Sequence, residues 1–129
     1  MYSGIRNAGS LSVTLLQGSL LGLFAIILSI GQILFKQASG ALEGGSGPGG
    51  VLSLVSSAHF WAAICLYGMS TLLWIWLLKD IPLNRAYPFV ALAFVLVPVL
   101  SRFVLDEELS RAGIAGSAVI VVGIVLSQA

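Results

Sequence analysis

Charged residues are scarce in this sequence, and their scarcity limits what the protein can be. Six of the 129 residues are Lys or Arg and five are Asp or Glu, together 9%, whereas an ordinary soluble domain carries about 25% charged residues. So few charges cannot coat a water-facing globule, and a formal net charge of +1 provides no attraction to a polyanion. These facts exclude a disordered chain, a nucleic-acid-binding protein and most soluble enzymes.

Residue types that carry chemistry are equally sparse. Cys65 is the single cysteine, so no internal disulfide can form, and its apolar surroundings indicate a packing residue. The sequence has no Cys/His cluster, no phosphate-binding glycine loop and no nucleophile–base pair, and its long apolar stretches contain no Asp or Glu. We therefore predict that the protein is not an enzyme and uses no metal or cofactor.

Long apolar stretches make up most of the sequence. Hydrophobic residues are 58% of the chain, and residues 7–35 and 44–78 contain no Asp, Glu, Lys or Arg. About 20 apolar residues in a helix cross the ~30 Å hydrocarbon core of a bilayer. The sequence predicts an all-α membrane protein, a bundle of four transmembrane helices in one domain (1–129). The predicted spans, numbered 1 to 4, are about 12–37, 59–78, 82–105 and 110–127.

The segment between spans 1 and 2 is rich in glycine. Residues 44–50 read Gly-Gly-Ser-Gly-Pro-Gly-Gly, a composition typical of flexible connections. We predict a flexible loop outside the membrane over 40–57, in which 51–57 either extends span 2 or lies at the membrane interface.

The basic residues do not define the orientation of the bundle. Four spans place three of them on each side of the membrane: Arg6, Lys79 and Arg85 on one, and Lys36, Arg102 and Arg111 on the other. The positive-inside rule therefore has no asymmetry to act on. Either some of these cations are not topology signals, or the chain inserts both ways or pairs with an oppositely inserted partner.

Span 1 carries a periodic stripe on one helix face. Its members, at spacings of three or four, are Gly18, Gly22, Ala25, Ser29, Gln32 and Lys36. Gly18 and Gly22 would let another helix approach closely. The amide of Gln32 is costly in hydrocarbon without a partner, so this face is expected to meet protein or a wet cavity. Lys36 either contributes to a site there or extends to the interface.

Four further residues are candidates for a site. Tyr67 and Ser70 lie near the centre of span 2 and either bond a neighbouring helix or line a cavity. Arg85 and Arg102 are 17 residues apart, about 25 Å along a helix and less than the hydrocarbon thickness. At least one of these two arginines must therefore extend to the interface, thin the bilayer or face a polar cleft.

Spans 3 and 4 carry helix-bending and packing residues. Pro88 and Pro98 predict a bent span 3 with freed backbone carbonyls. Gly116 and Gly123 share a face of span 4 and predict a packing or dimerisation surface. Ser110 is a predicted N-cap for span 4, after the acidic turn at 106–108.

Three segments of the sequence together resemble a known family. GQILFKQA at 31–38, LNRAYP at 83–88, and Glu107 followed by a Gly-rich span 4 resemble the small multidrug resistance branch of the drug/metabolite transporter superfamily. They are most similar to the four-helix subunits of the aminoarabinose–undecaprenyl phosphate flippase. The resemblance covers about residues 15–38 and 58–127.

The resemblance implies a multi-pass transporter of the bacterial cytoplasmic (inner) membrane. It implies a dimer with an identical or paralogous subunit, often antiparallel, that opens alternately to each side. The multidrug branch has a proton- and drug-binding glutamate eight residues before the lysine that matches Lys36, and Leu28 stands at that position here. Tyr87 matches a tyrosine of the substrate chamber, and Arg85 matches no family residue.

These observations favour a flippase that translocates a polyprenyl-phosphate-linked sugar. Lys36 and Arg85 are expected to attract the phosphate, and Gln32, Tyr67, Ser70 and Tyr87 to face the polar head, while the isoprenoid tail stays in the lipid bilayer. An exporter of small organic cations is the alternative. A third possibility is a structural partner of another membrane protein.

Overall fold

The computed structural model describes residues 14–44 and 47–129. The predicted start of span 1 at Ser12, the cation Arg6 and residues 45–46 of the glycine run lie outside them. Within the described ranges the chain is helical without strands, and four helices are long and apolar enough to cross a membrane. The predicted all-α fold with four spans is confirmed.

The spans follow the predicted order, with one additional short helix. The elements are α1 (Leu15–Ser39), a 3₁₀ turn (Gly40–Gly44), α2 (Pro48–Val55), α3 (Ala58–Leu78), α4 (Leu83–Val90), α5 (Ala93–Val104) and α6 (Arg111–Gln128). Spans 1, 2 and 4 are α1, α3 and α6, and span 3 is the pair α4–α5.

Side-chain caps define where two spanning helices begin. The Gln17 N–H donates to the Thr14 hydroxyl (3.2 Å), and the Thr14 N–H donates to the Gln17 side chain (3.0 Å). This reciprocal pair satisfies two backbone donors that the first turn of α1 leaves open. At α6 the Gly113 N–H donates to the Ser110 hydroxyl at 2.9 Å, which confirms the predicted N-cap.

Span 3 is broken in two, as its prolines predict. Pro88 has no N–H to donate, and its ring clashes with the carbonyl one turn earlier. The regular helix ends two residues after it, at Val90. The Ala91 N–H turns back to the Pro88 carbonyl at 3.1 Å, and α5 begins at Ala93. Pro98 lies inside α5 and deprives the Phe94 carbonyl of its usual helical donor.

The glycine-rich segment differs from the predicted loop. Its residues 40–44 form the 3₁₀ turn, and Pro48–Val55 is helical because proline at the first helical position has a preset φ and needs no donor partner. Gly47, with φ of 143°, adopts a backbone conformation that favours glycine. Ser57 is extended, so α2 does not continue into span 2.

The buried core joins the first three spans at one end of the bundle. Leu21, Leu77, Ile81 and Ala86 form a buried cluster, and the Phe24 and Trp74 rings stack above it with centroids 4.8 Å apart. Helix α1 packs chiefly against α3 and α5. Helix α6, in contrast, contacts α4 and α5 but buries none of its residues.

Three of the four glycines predicted for helix packing face open space within the described chain. A Cβ added at Gly22, Gly116 or Gly123 would meet nothing within 4 Å, and Gly18 is half-buried. Their predicted role in contact with another helix therefore remains a prediction.

Candidate functional site

A cavity of about 450 Å³ lies between α1 and span 3. Its lining residues are Leu28, Gln32, Val90, Ala93, Phe94, Val97 and Pro98. Leu28 and Gln32 lie in the central turns of α1, and Ala93 and Phe94 lie midway along span 3. The cavity is therefore placed near the middle of the membrane, where the surroundings are lipid or another chain rather than water.

Gln32 contributes the single polar side chain among these lining residues. Its amide nitrogen donates to the hydroxyl of Tyr67 on α3, and the Tyr67 ring packs against Phe35 with centroids 5.1 Å apart. This bond uses one amide hydrogen and leaves the carbonyl oxygen and the second hydrogen for a ligand. The structure thus gives Gln32 a helix-to-helix partner at a depth where an unpaired amide is costly.

Gly31 makes this arrangement possible, and the sequence analysis assigned it no role. A Cβ at Gly31 would lie 2.7 and 2.8 Å from Cε2 and Cδ2 of the Tyr67 ring, which is too close for two carbon atoms. Only glycine lets the ring pack this closely against α1 with its hydroxyl beside Gln32. The available signal was a glycine inside a helix, which costs about 1 kcal/mol relative to alanine and so usually has a packing reason.

Lys36 lies beyond the end of the cavity rather than in its wall. It is exposed, in the last turn of α1 and four residues from Gln32, about 6 Å along the axis. Its ammonium group makes no hydrogen bond or ion pair with any residue in the described part of the chain. Lys36 is therefore a free cation at the membrane boundary, aligned with Gln32 and Leu28 on one helix face.

Arg85 occupies the opposite end of the bundle. Its Nη1 donates to the Gln128 carbonyl at 2.9 Å, and the Gln128 amide donates back to the Arg85 carbonyl at 3.1 Å. Since consecutive spans cross in opposite directions, the start of span 3 and the end of span 1 lie on different sides of the membrane. Arg85 and Lys36 of one chain therefore lie on different sides, as the order of the spans implies, and their attraction for the phosphate remains a prediction.

Three other candidate residues also lie outside the cavity wall. Tyr87 is 62% exposed, with its ring edge-on to Trp74 at 6.4 Å. Ser70 is buried, and its hydroxyl donates to the Tyr67 carbonyl of its own helix at 2.8 Å, so it neither bonds a neighbouring helix nor lines the cavity. Arg102 pairs with Asp106 at 2.8 Å.

The wall of the cavity is electrically neutral. Neither an acid nor a base is among its lining residues, and no group of three or more His, Cys, Asp or Glu in the described ranges could hold a metal ion. Leu28, at the position of the multidrug glutamate, is part of the wall. The arrangement can accommodate hydrocarbon and offer one amide for hydrogen bonding, but these side chains provide no acid–base chemistry.

Comparison with known proteins identifies similar chains. The chain is 33% identical over 109 residues to the probable 4-amino-4-deoxy-L-arabinose-phosphoundecaprenol flippase subunit ArnE of Pectobacterium atrosepticum, which covers 84% of this chain and 95% of that protein. The ArnE subunit of Aeromonas salmonicida is 33% identical over 107 residues, covering 83% and 92%. The ArnE subunit of Pseudomonas aeruginosa UCBPP-PA14 is 44% identical over 66 residues, but that match spans 57% of its length.

No family model and no solved structure matches the sequence. The two longer matches cover nearly all of the relatives' length at more than 30% identity, and they include both segments that form the cavity. The chain therefore belongs to the family of ArnE flippase subunits.

Proposed function

We propose that the protein is a subunit of a flippase that moves a polyprenyl-phosphate-linked sugar across the bacterial cytoplasmic membrane. The observation that carries the proposal is a neutral cavity at the membrane centre, with one amide in its wall and a free cation one turn beyond it. The names of the relatives supply the class of cargo, a sugar joined to a polyprenol through phosphate.

Export of small organic cations is not favoured by this arrangement. A cation in the low-dielectric membrane centre needs a fixed negative partner. The wall position that could supply one is Leu28, and no Asp or Glu occurs within α1, α3, α4, α5 or α6.

The sequence predicted an anionic cargo and cations around it, yet no Lys or Arg of the described residues lines the cavity. The cargo named for the relatives carries both an amino group and a phosphate, whose charges cancel at neutral pH. The amino group and the phosphate of such a head can partner each other, so the wall need not provide a counter-charge, which suits a neutral wall. We therefore infer that the cargo of this protein is also an amino sugar.

Lys36 and Gln32 act at different depths in this proposal. The phosphate of a membrane-anchored lipid lies at the bilayer surface, where Lys36 can bind it through a charge-assisted hydrogen bond of about 1.5–3 kcal/mol. This strength selects a phosphate but still permits release. As the head crosses, the Gln32 amide replaces part of its lost hydration, and the apolar wall contacts the first isoprene units.

A second subunit is needed to complete the site. The cavity is formed by α1 and span 3 alone, and Phe94 in its wall is 68% exposed. The relatives are named as subunits. We propose that an identical or paralogous chain covers this side, with the unburied α6 and its glycines Gly116 and Gly123 as further contact surface.

The test is flux of the lipid-linked amino sugar in vesicles that contain the purified protein together with any subunit that copurifies. Lys36→Ala should slow translocation by about tenfold or more, the loss expected when a bond of about 1.5–3 kcal/mol is removed. Lys79→Ala is the matched control, since Lys79 is also exposed at the end of a span but pairs with Asp80 (3.7 Å) and lies over the Trp76 ring. Equal rates for both variants would remove Lys36 from the mechanism.

Native mass spectrometry separates this proposal from a purely structural role. A transporter subunit should retain a polyprenyl phosphate lipid, and its mass also reports the number of chains in the complex. A purified complex that binds no added polyprenyl phosphate would contradict the proposal.

A further inference from the structure

Helix α2 has an exposed apolar face that the transport site does not use. Val51, Leu52 and Val55 are 57%, 69% and 42% exposed. At 100° per residue these three side chains fall within an arc of about 100°, which we call the outer arc. Gly50 and Leu54 lie toward the protein, and Ser53 is exposed on a separate, polar side.

The end of α2 is held at the depth of the membrane interface. The Trp61 indole N–H donates to the carbonyl of Val55, the last residue of α2. Trp61 lies in the first turn of the spanning helix α3, where tryptophan marks the boundary between hydrocarbon and water. The outer arc therefore lies at the level of the lipid headgroups.

Charge and continuity favour lipid as the occupant of the outer arc. Residues 44–78 contain no Asp, Glu, Lys or Arg, so insertion of α2 would desolvate no charge. On α3, Trp61 and Ile64 are also exposed, and both belong to a segment that crosses the membrane. The chain on both sides of α2 is already anchored in the bilayer by spans 1 and 2.

We propose that α2 is an interfacial helix whose outer arc inserts into the boundary between lipid headgroups and acyl chains. The proposal is independent of what the protein transports. Helix α2 also packs against the 3₁₀ turn Gly40–Gly44, which directly follows the last turn of α1. Insertion of α2 would thus fix the depth of that helix end, where Lys36 lies.

Cysteine accessibility in lipid nanodiscs tests this proposal with both membrane faces open to reagents. In a Cys65→Ala background, single variants Leu52→Cys and Ser53→Cys are labelled with a charged, membrane-impermeant maleimide. Both positions are exposed on the same helix, so Ser53→Cys is a matched control. Leu52→Cys should react more slowly by about tenfold or more, because a charged reagent is excluded from hydrocarbon.

A lipid-dissolved paramagnetic quencher identifies what covers the outer arc. A fluorophore or spin label on Leu52→Cys should be quenched strongly by lipids carrying a nitroxide, and a label on Ser53→Cys weakly. Val51→Cys should behave like Leu52→Cys, so a local defect in one of these variants would be recognised by its disagreement with the other. Equal labelling of the two positions would overturn the proposal, and so would a Leu52 site protected from both maleimide and lipid quencher, since another protein would then cover the arc.

Discussion

Replacement of Gly31 by alanine tests the geometry of the site most directly. The added methyl group would lie 2.7 and 2.8 Å from two carbons of the Tyr67 ring, so the ring must move away from α1. Its hydroxyl would then leave the Gln32 amide, and the contact with Phe35 would change. We expect lower stability and slower transport from a change of one methyl group.

The size of the effect follows from two opposing contributions. Alanine stabilises a helix interior by about 1 kcal/mol relative to glycine, whereas forcing an extra methyl group into a packed contact costs about 1–3 kcal/mol. Gly31→Ala should therefore change the free energy of unfolding by between about 0 and 2 kcal/mol in the destabilising direction. In a Tyr67→Ala background the clash is absent, so the same substitution should become stabilising by up to about 1 kcal/mol.

The assay is unfolding of the detergent-solubilised protein by SDS, followed by far-ultraviolet circular dichroism, for the four members of the double-mutant cycle. Gly68→Ala is the control, because it lies beside Tyr67 in α3 with nothing within 4 Å of an added Cβ and should not destabilise. The reasoning is refuted if Gly31→Ala has the same effect with and without the Tyr67 ring.

Four further substitutions have defined outcomes. Tyr67→Phe removes the acceptor of the Gln32 amide, so unfolding free energy measured in SDS titrations should fall by about 0.5–1.5 kcal/mol, and an unchanged value would contradict the bond. Arg85→Ala and Gln128→Ala each remove one of the two hydrogen bonds between these residues. Amide hydrogen exchange in the last turn of α6 should therefore accelerate in each variant, and the two losses of protection free energy should add in the double variant. Asp106→Asn should change stability by less than about 1 kcal/mol and only at low salt, because its ion pair with Arg102 is exposed; a larger, salt-independent loss would contradict this.

Much of the fold follows from apolar runs and local capping rules. Uncharged stretches such as 44–78 locate the spans. Ser110 caps a helix and Pro88 interrupts one through contacts within a few residues, so both effects were predictable from the sequence. The helix at Pro48–Val55 was not predicted, because the glycine content of this segment indicates a loop. The proline at its first position and the apolar residues that follow are the features that favour a helix.

The site was only partly predictable because its contacts join distant segments. The cost of an unpaired amide indicated that Gln32 needs a partner, but periodicity could not identify Tyr67, 35 residues away, as that partner. The role of Gly31 depends on the position of that ring and is invisible on one helix alone. The order of the spans places Lys36 and Arg85 on opposite sides of the membrane, but it does not show that Arg85 bonds Gln128 at the end of α6.

The neutral cavity wall also determines how transport responds to the membrane potential. One elementary charge crossing 100 mV gains or loses about 2.3 kcal/mol. A wall without fixed charge carries no charge across the membrane when the cavity opens to the other side. A head whose amino and phosphate charges cancel would then cross with no net electrical work. Voltage would neither drive nor oppose this step, so direction would be set by the amounts of the lipid on the two sides.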